Sequence, residues 1–147
     1  MNYLDTSALI KRFVSEKGSP VILTLIQRKG PIATAKIAYA EIHAGLTRKL
    51  REGSLSNAQY TMTCRQFEGD WNAYIQVELQ DTILRCARDL IKRHPLRGFD
   101  AVHLASAISL KDALGEAITF VAADEHLLLA ARAEHLRILH PETAQTV

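Results

Sequence analysis

Four carboxylates stand where side chains could hold a hard cation: Asp5, Glu41, Asp100 and Asp124. Asp5 ends the apolar run that opens the chain, and Asp124 ends another, Ile118-Thr119-Phe120-Val121-Ala122-Ala123. Glu41 and Asp100 lie in the opening turns of helical patterns, flanked by Ala40 and Ile42 and by Phe99 and Ala101. Clustered carboxylates repel one another and raise each other's pKa values, a conflict that a divalent cation removes. Basic side chains alone are not expected to resolve it. Oxygen ligands without cysteine suit Mg²⁺ or Mn²⁺ better than Zn²⁺. A centre of that kind activates water and stabilises charge on a phosphodiester during in-line displacement.

The acids do this only if the fold brings them to one edge. Short apolar runs alternate with longer helical patterns, which predicts an α/β fold with a mostly parallel sheet. Strands are expected at residues 2–4, 31–34, 75–79, 118–122 and 136–139. Helices are expected over 6–14, 20–28, 35–51, 56–71, 82–93, 100–111 and 124–134. Ser19-Pro20 places proline at a helix start, and His94-Pro95 stops a helix. In an open parallel sheet, ligands bind outside the carboxyl ends of the strands, where strand order reverses. Asp5 and Asp124 stand at such ends. Asp100 opens its helix and Glu41 lies about two turns into the helix after the second strand, and side chains there can lean over the same edge.

Each acid also has a purely structural explanation. Asp5, Asp100 and Asp124 precede helical patterns, where Asp is a favoured cap. Glu41 taken singly is a surface charge or half of a helical ion pair. The set argues otherwise, because charges among apolar neighbours are rarely buried without a partner.

With 147 residues, 48% of them hydrophobic and 23% charged, the chain has the composition of one ordinary domain with its own core. That domain is expected over residues 1–140, followed by a peripheral tail over 141–147. Cys64 and Cys86 have no metal or disulfide spacing, so they are expected to be reduced thiols of an intracellular protein. No apolar stretch approaches the roughly 20 residues of a membrane span. Asp5 also interrupts the first apolar run, which argues against a signal peptide. The expected location is the cytoplasm. A net charge of +2 does not by itself imply a nucleic-acid partner. The basic clusters, Lys11-Arg12, Arg48-Lys49-Arg51 and Lys92-Arg93, each read singly as a solvated face. His43, His94, His126, His135 and His140 show no zinc-site spacing.

Four segments together resemble a known family. They are Tyr3-Leu4-Asp5-Thr6-Ser7-Ala8-Leu9, Ala40-Glu41-Ile42, the helix Phe99-Asp100-Ala101-Val102-His103-Leu104-Ala105, and Phe120-Val121-Ala122-Ala123-Asp124. In this order and spacing the chain resembles the PIN domain, and within it the VapC-type toxins of toxin–antitoxin pairs. One departure is Ala122, where the family often carries Thr or Ser. The resemblance implies a three-layer α/β/α fold with a mostly parallel sheet of about five strands. It also implies Mg²⁺-dependent endoribonuclease activity (Mn²⁺ being the alternative ion), an RNA substrate, a cognate antitoxin and a homodimer. Carried over residue by residue, Asp5, Glu41, Asp100 and Asp124 become the metal-site carboxylates. Asp5 and Asp100 are then direct ligands, while Glu41 and Asp124 act through water. Thr6 and Ser7 would orient a ligand or the scissile phosphate, or else cap the first helix. His103, one turn after Asp100, can reach the site, although a satisfied core histidine is the preferred reading. Lys11, Arg12, Lys36 and Arg97 are candidate phosphate contacts. The alternative function is a catalytically silent module of the same fold that binds RNA or a partner. A phosphatase of the haloacid dehalogenase type is set aside, since it needs a second acid where Ser7 stands.

Overall fold

Successive residues of a strand point to opposite faces, and the short strands of this chain use that alternation to separate two cores. The computed structural model describes residues 1–144. The strands within them are β1 (Asn2–Leu4), β2 (Ile32–Ala35), β3 (Ile75–Val77), β4 (Thr119–Val121) and β5 (Arg137–Leu139). They form one sheet in the order β3-β2-β1-β4-β5, and every neighbouring pair is parallel. The helices are α1 (Thr6–Leu9), α2 (Ser19–Gln27), α3 (Ala38–Arg51), α4 (Asn57–Trp71), α5 (Asp81–Arg93), α6 (Gly98–Leu114) and α7 (Glu125–Ala133).

Tyr3, Ala33, Ala35 and Phe120 point to one face and pack with Leu90 of α5, Leu104 of α6 and Leu127 of α7. Leu4, Ile32 and Val121 point to the other and pack with Leu9, Ile22, Ile42 and Phe67 of α1 to α4. The result is the expected three-layer α/β/α arrangement. The chain winds outward through β1, β2 and β3, then returns to add β4 and β5 on the far side of β1. Strand order therefore reverses between β1 and β4, where the crevice was expected.

Three local differences bear on the site. The helix expected over 6–14 ends early: α1 gives way to a 3₁₀ turn, Ile10–Arg12. The helix expected from residue 35 starts at Ala38, because Ala35 is still paired with Val77 in the sheet. And α6 starts at Gly98 with Arg97 as its capping residue, so Asp100 lies in the first turn and is not a cap.

The segment expected to be a peripheral tail begins against the body of the protein. Pro141 is buried, and Glu142 reaches the ammonium of Lys11 at 2.8 Å. Residues 145–147 of that segment lie outside the described residues. Among the described residues no helix is long and apolar enough to cross a membrane.

Candidate active site

Asp5 follows β1 directly, and its N–H donates to Val121 O across the β1–β4 seam at 3.1 Å. Its side chain caps α1 by accepting from the Ala8 N–H at 3.0 Å, and it accepts from the Ser7 hydroxyl at 2.7 Å. Both bonds fall on Oδ1, and no hydrogen bond from the described residues reaches Oδ2. Burial dominates the electrostatics of this carboxyl, which is only 5% exposed, and pushes its pKa up to about 6. His103, Ser7 and the Ala8 amide oppose that rise, while nearby Asp100 adds to it. Ser7 Oγ also accepts from the Ala123 N–H at 2.9 Å, so one hydroxyl ties the ends of β1 and β4 together.

Glu41, in the first turn of α3, leans over the same edge. Its Oε1 accepts from Thr6 Oγ1 at 2.8 Å and meets His103 Nε2 at 2.8 Å. Burial works against its ionised form, yet the bonds from His103 and Thr6 outweigh burial and hold its carboxyl below the ordinary range. His103 is 3% exposed, as a core histidine would be. Its partners, however, are Glu41, Thr6 and Tyr3, so the core reading is right about burial and incomplete about contacts. Thr6 and Ser7 hold two of the acids and do not cap α1; the cap is Asp5 itself.

Asp100 accepts from Arg97 Nε at 3.1 Å. Arg97 Nη2 stands 3.9 Å from Asp124 Oδ2, and Asp124 Oδ1 caps α7 by accepting from the Leu127 N–H at 3.0 Å. Arg97 therefore serves Asp100 and Asp124, and His103 meets Glu41, so nitrogen donors reach three of the four acids but do not serve the whole set. Asp5 is the exception. A cavity of about 370 Å³ gathers Asp5, Thr6, Ser7, Glu41, Asp100 and His103 with Arg48 and Arg97. Among the described residues Asp124 is not on its lining and is tied to the group through Arg97.

The four predicted phosphate contacts separate in the structure. Arg97 is in the crevice and 84% exposed. Lys11 is not: it is buried between Glu16, at 3.1 Å, and Glu142. Arg12 pairs with Asp70 at 3.4 Å and lies over the Phe13 ring. Lys36 pairs with Glu78 at 2.6 Å. Sequence reasoning passed over Arg48, which lines the cavity and makes no ion pair among the described residues. The signal was available, since Arg48 lies two helical turns beyond Glu41 on the same face of α3. Gly45, one turn before it on that face, allows the close approach of α1's continuation. A Cβ there would lie 2.8 Å from Ile10 Cδ1.

The donor chemistry of these residues is that of a hard divalent cation. The available donors are carboxylate oxygens, and Asp5 Oδ2 is an acceptor in buried surroundings whose ionisation a cation would favour. Among the described residues, no three His, Cys, Asp or Glu side chains converge closely enough to enclose a metal. One or two of these carboxylates, with water completing the shell, is a donor set that a hard divalent cation accepts.

Comparison with known proteins gives the class. The family model of the PIN domain matches residues 3–134, and the chain belongs to that family. Among characterised relatives it is similar to the ribonucleases VapC45 and VapC49 of Mycobacterium tuberculosis. Each is 36% identical over 110 residues, 75% of this chain and 76% of the relative. Among solved structures it is similar to FitAcB from Neisseria gonorrhoeae, with a TM-score of 0.69 and 12% identity over 98% of this chain and 100% of that one. It is also similar to a toxin–antitoxin complex from Klebsiella pneumoniae, with a TM-score of 0.63 and 15% identity over 96% and 98%. At those identities the structural matches speak to the fold.

Proposed function

We propose that this chain is the endoribonuclease toxin of a toxin–antitoxin pair, hydrolysing RNA phosphodiesters with Mg²⁺, or Mn²⁺, at the carboxylates. One observation carries the reading: the buried Asp5 carboxylate shares a cavity with Glu41 and Asp100 at the reversal point of a PIN-family sheet. The similarity to VapC ribonucleases supports RNA as substrate. Asp5 and Asp100 would hold the ion directly, with Glu41 and Asp124 acting through water. Bound there, the ion would supply charge stabilisation and an activated water. The chain's own residues do the positioning. Thr6 and His103 hold Glu41, Ser7 holds Asp5, and the exposed Arg97 offers a planar donor pair to a phosphate while keeping Asp100 oriented. RNA as substrate makes the cytoplasm the working compartment.

Two protein partners belong to the same reading, a cognate antitoxin and a second copy of the chain. The exposed apolar surface beside the acids lies on α5 and α6, where Leu84, Ile91 and Phe99 border a groove of about 650 Å³ that runs to Glu41 and Asp100. A silent RNA- or partner-binding module is the second reading. It is favoured by one fact: Asp5 and Asp124 each give one carboxylate oxygen to a helix cap. Incubation of purified chain with total RNA, with and without Mg²⁺, separates the two. Cleavage lost in Asp100→Asn supports the nuclease, and cleavage unchanged by that substitution sinks it.

A further inference from the structure

We propose that Tyr3 and His103 are positioning residues that set the Glu41 carboxylate in the crevice, an inference that rests on the crevice being the nuclease site. An ionised carboxylate only accepts hydrogen bonds. The imidazole Nε2, 2.8 Å from Glu41 Oε1, must therefore carry the proton. In a neutral ring Nδ1 is then a bare acceptor, and the Tyr3 hydroxyl 2.9 Å away donates to it. Hydroxyl, imidazole and carboxylate form one directed line, from β1 through α6 to α3. Thr6 Oγ1 lies 3.2 Å from Nε2 and donates to the same carboxylate oxygen. Oε1 thus receives two donors, while no hydrogen bond from the described residues reaches Oε2. That asymmetry fixes the rotamer of Glu41 and leaves one oxygen for the crevice.

The line is built to hold still. Tyr3 is fully buried and stacked on Phe120 with ring centres 5.4 Å apart and planes 9° from parallel. Its ring meets His103 edge-on at 6.0 Å and 75°. Without the Tyr3 hydroxyl the buried Nδ1 loses its donor, and the Glu41 contact alone favours the Nε2–H tautomer. A ring protonated on Nδ1 would turn the Nε2 lone pair on the Glu41 carboxylate and push it away. Groups that orient a metal-binding or catalytic side chain in this manner typically matter 10- to 100-fold.

The test uses Tyr3→Phe, which keeps the stacked ring, beside His103→Gln, which keeps a donor, and His103→Leu, which does not. In metal-free protein labelled with ¹⁵N-histidine, the wild type should show His103 as the Nε2–H tautomer, and Tyr3→Phe should show a larger share of the Nδ1–H form. Mn²⁺ binding measured by calorimetry should weaken about 10-fold in Tyr3→Phe. On RNA, kcat should fall by about the same factor with KM nearly unchanged, and His103→Gln should retain more activity than His103→Leu. An unchanged tautomer in Tyr3→Phe, or a lowered melting temperature with kcat and Mn²⁺ affinity intact, overturns the proposal. If the wild type cuts no RNA, the nuclease reading fails, and the tautomer and Mn²⁺ binding still decide the relay.

Discussion

Replacing Asp5 by Asn probes the most strained charge in the site. Burial raises the Asp5 pKa from 3.8 to about 6. That gap is worth about 3 kcal/mol, at ~1.4 kcal/mol per pH unit, as an upper figure for the cost of ionising this side chain in the folded protein. Because the folded pKa is the higher one, the native state binds more protons than the unfolded chain across that window. Stability therefore falls as pH rises from about 3.8 to about 6, and stays low above it. Asn keeps an acceptor for the Ala8 N–H and caps a helix about as well, but carries no charge. In chelator, at pH 8, Asp5→Asn should gain about 1–3 kcal/mol, or roughly 2–12 °C in Tm for a chain of this size. The gain should close towards pH 4, where the wild-type carboxyl is neutral. Added Mg²⁺ should raise the wild-type Tm and leave the variant unmoved, since only the wild type offers the charged ligand. Differential scanning calorimetry across pH gives the answer. A variant less stable at pH 8, or a difference that does not change with pH, refutes the reasoning.

Other predictions concern the basic side chains. Lys11→Met should lower unfolding free energy in urea by about 1–3 kcal/mol, because it strips the shared partner from Glu16 and Glu142, and should leave RNA affinity unchanged. Arg97→Gln should tighten Mn²⁺ binding in calorimetry by removing the cation beside Asp100 and Asp124. The same variant should make the salt dependence of RNA binding shallower by about 0.7 in log–log slope. Arg48→Ala should raise KM for RNA roughly 10-fold while kcat holds, the loss of one charged phosphate contact.

The sheet and its edge were readable because strand ends and helix starts leave local marks. Asp5 after Tyr3-Leu4, Ser19-Pro20 and His94-Pro95 each pin a boundary without knowledge of the fold. Parallel α/β layering then puts Asp5, Glu41 and Asp100 on one side. What could not be read was which side chains meet across that edge. Tyr3 and His103 are 100 residues apart, and His103 and Glu41 are 62 apart, so no window of sequence contains their bond. Lys11 and Arg12 looked alike as a basic pair. A 3₁₀ turn sends one inward to the nearby Glu16 and the sequence-distant Glu142, and leaves the other at the surface. Arg97 and Asp100 were both named from sequence, but three-residue spacing across a helix start does not reveal that they pair. Arg48 was visible as charge and overlooked as geometry.

In the proposed function the acids of this crevice support metal-dependent cutting of RNA. Its most direct measurement is the mapping of cut ends after incubating purified protein with total RNA, in Mg²⁺ and in chelator, for wild type and Asp100→Asn. Discrete cuts are expected only for the wild type in Mg²⁺. Equal cutting by the variant, or no cutting by folded wild-type protein in either Mg²⁺ or Mn²⁺, would contradict the account.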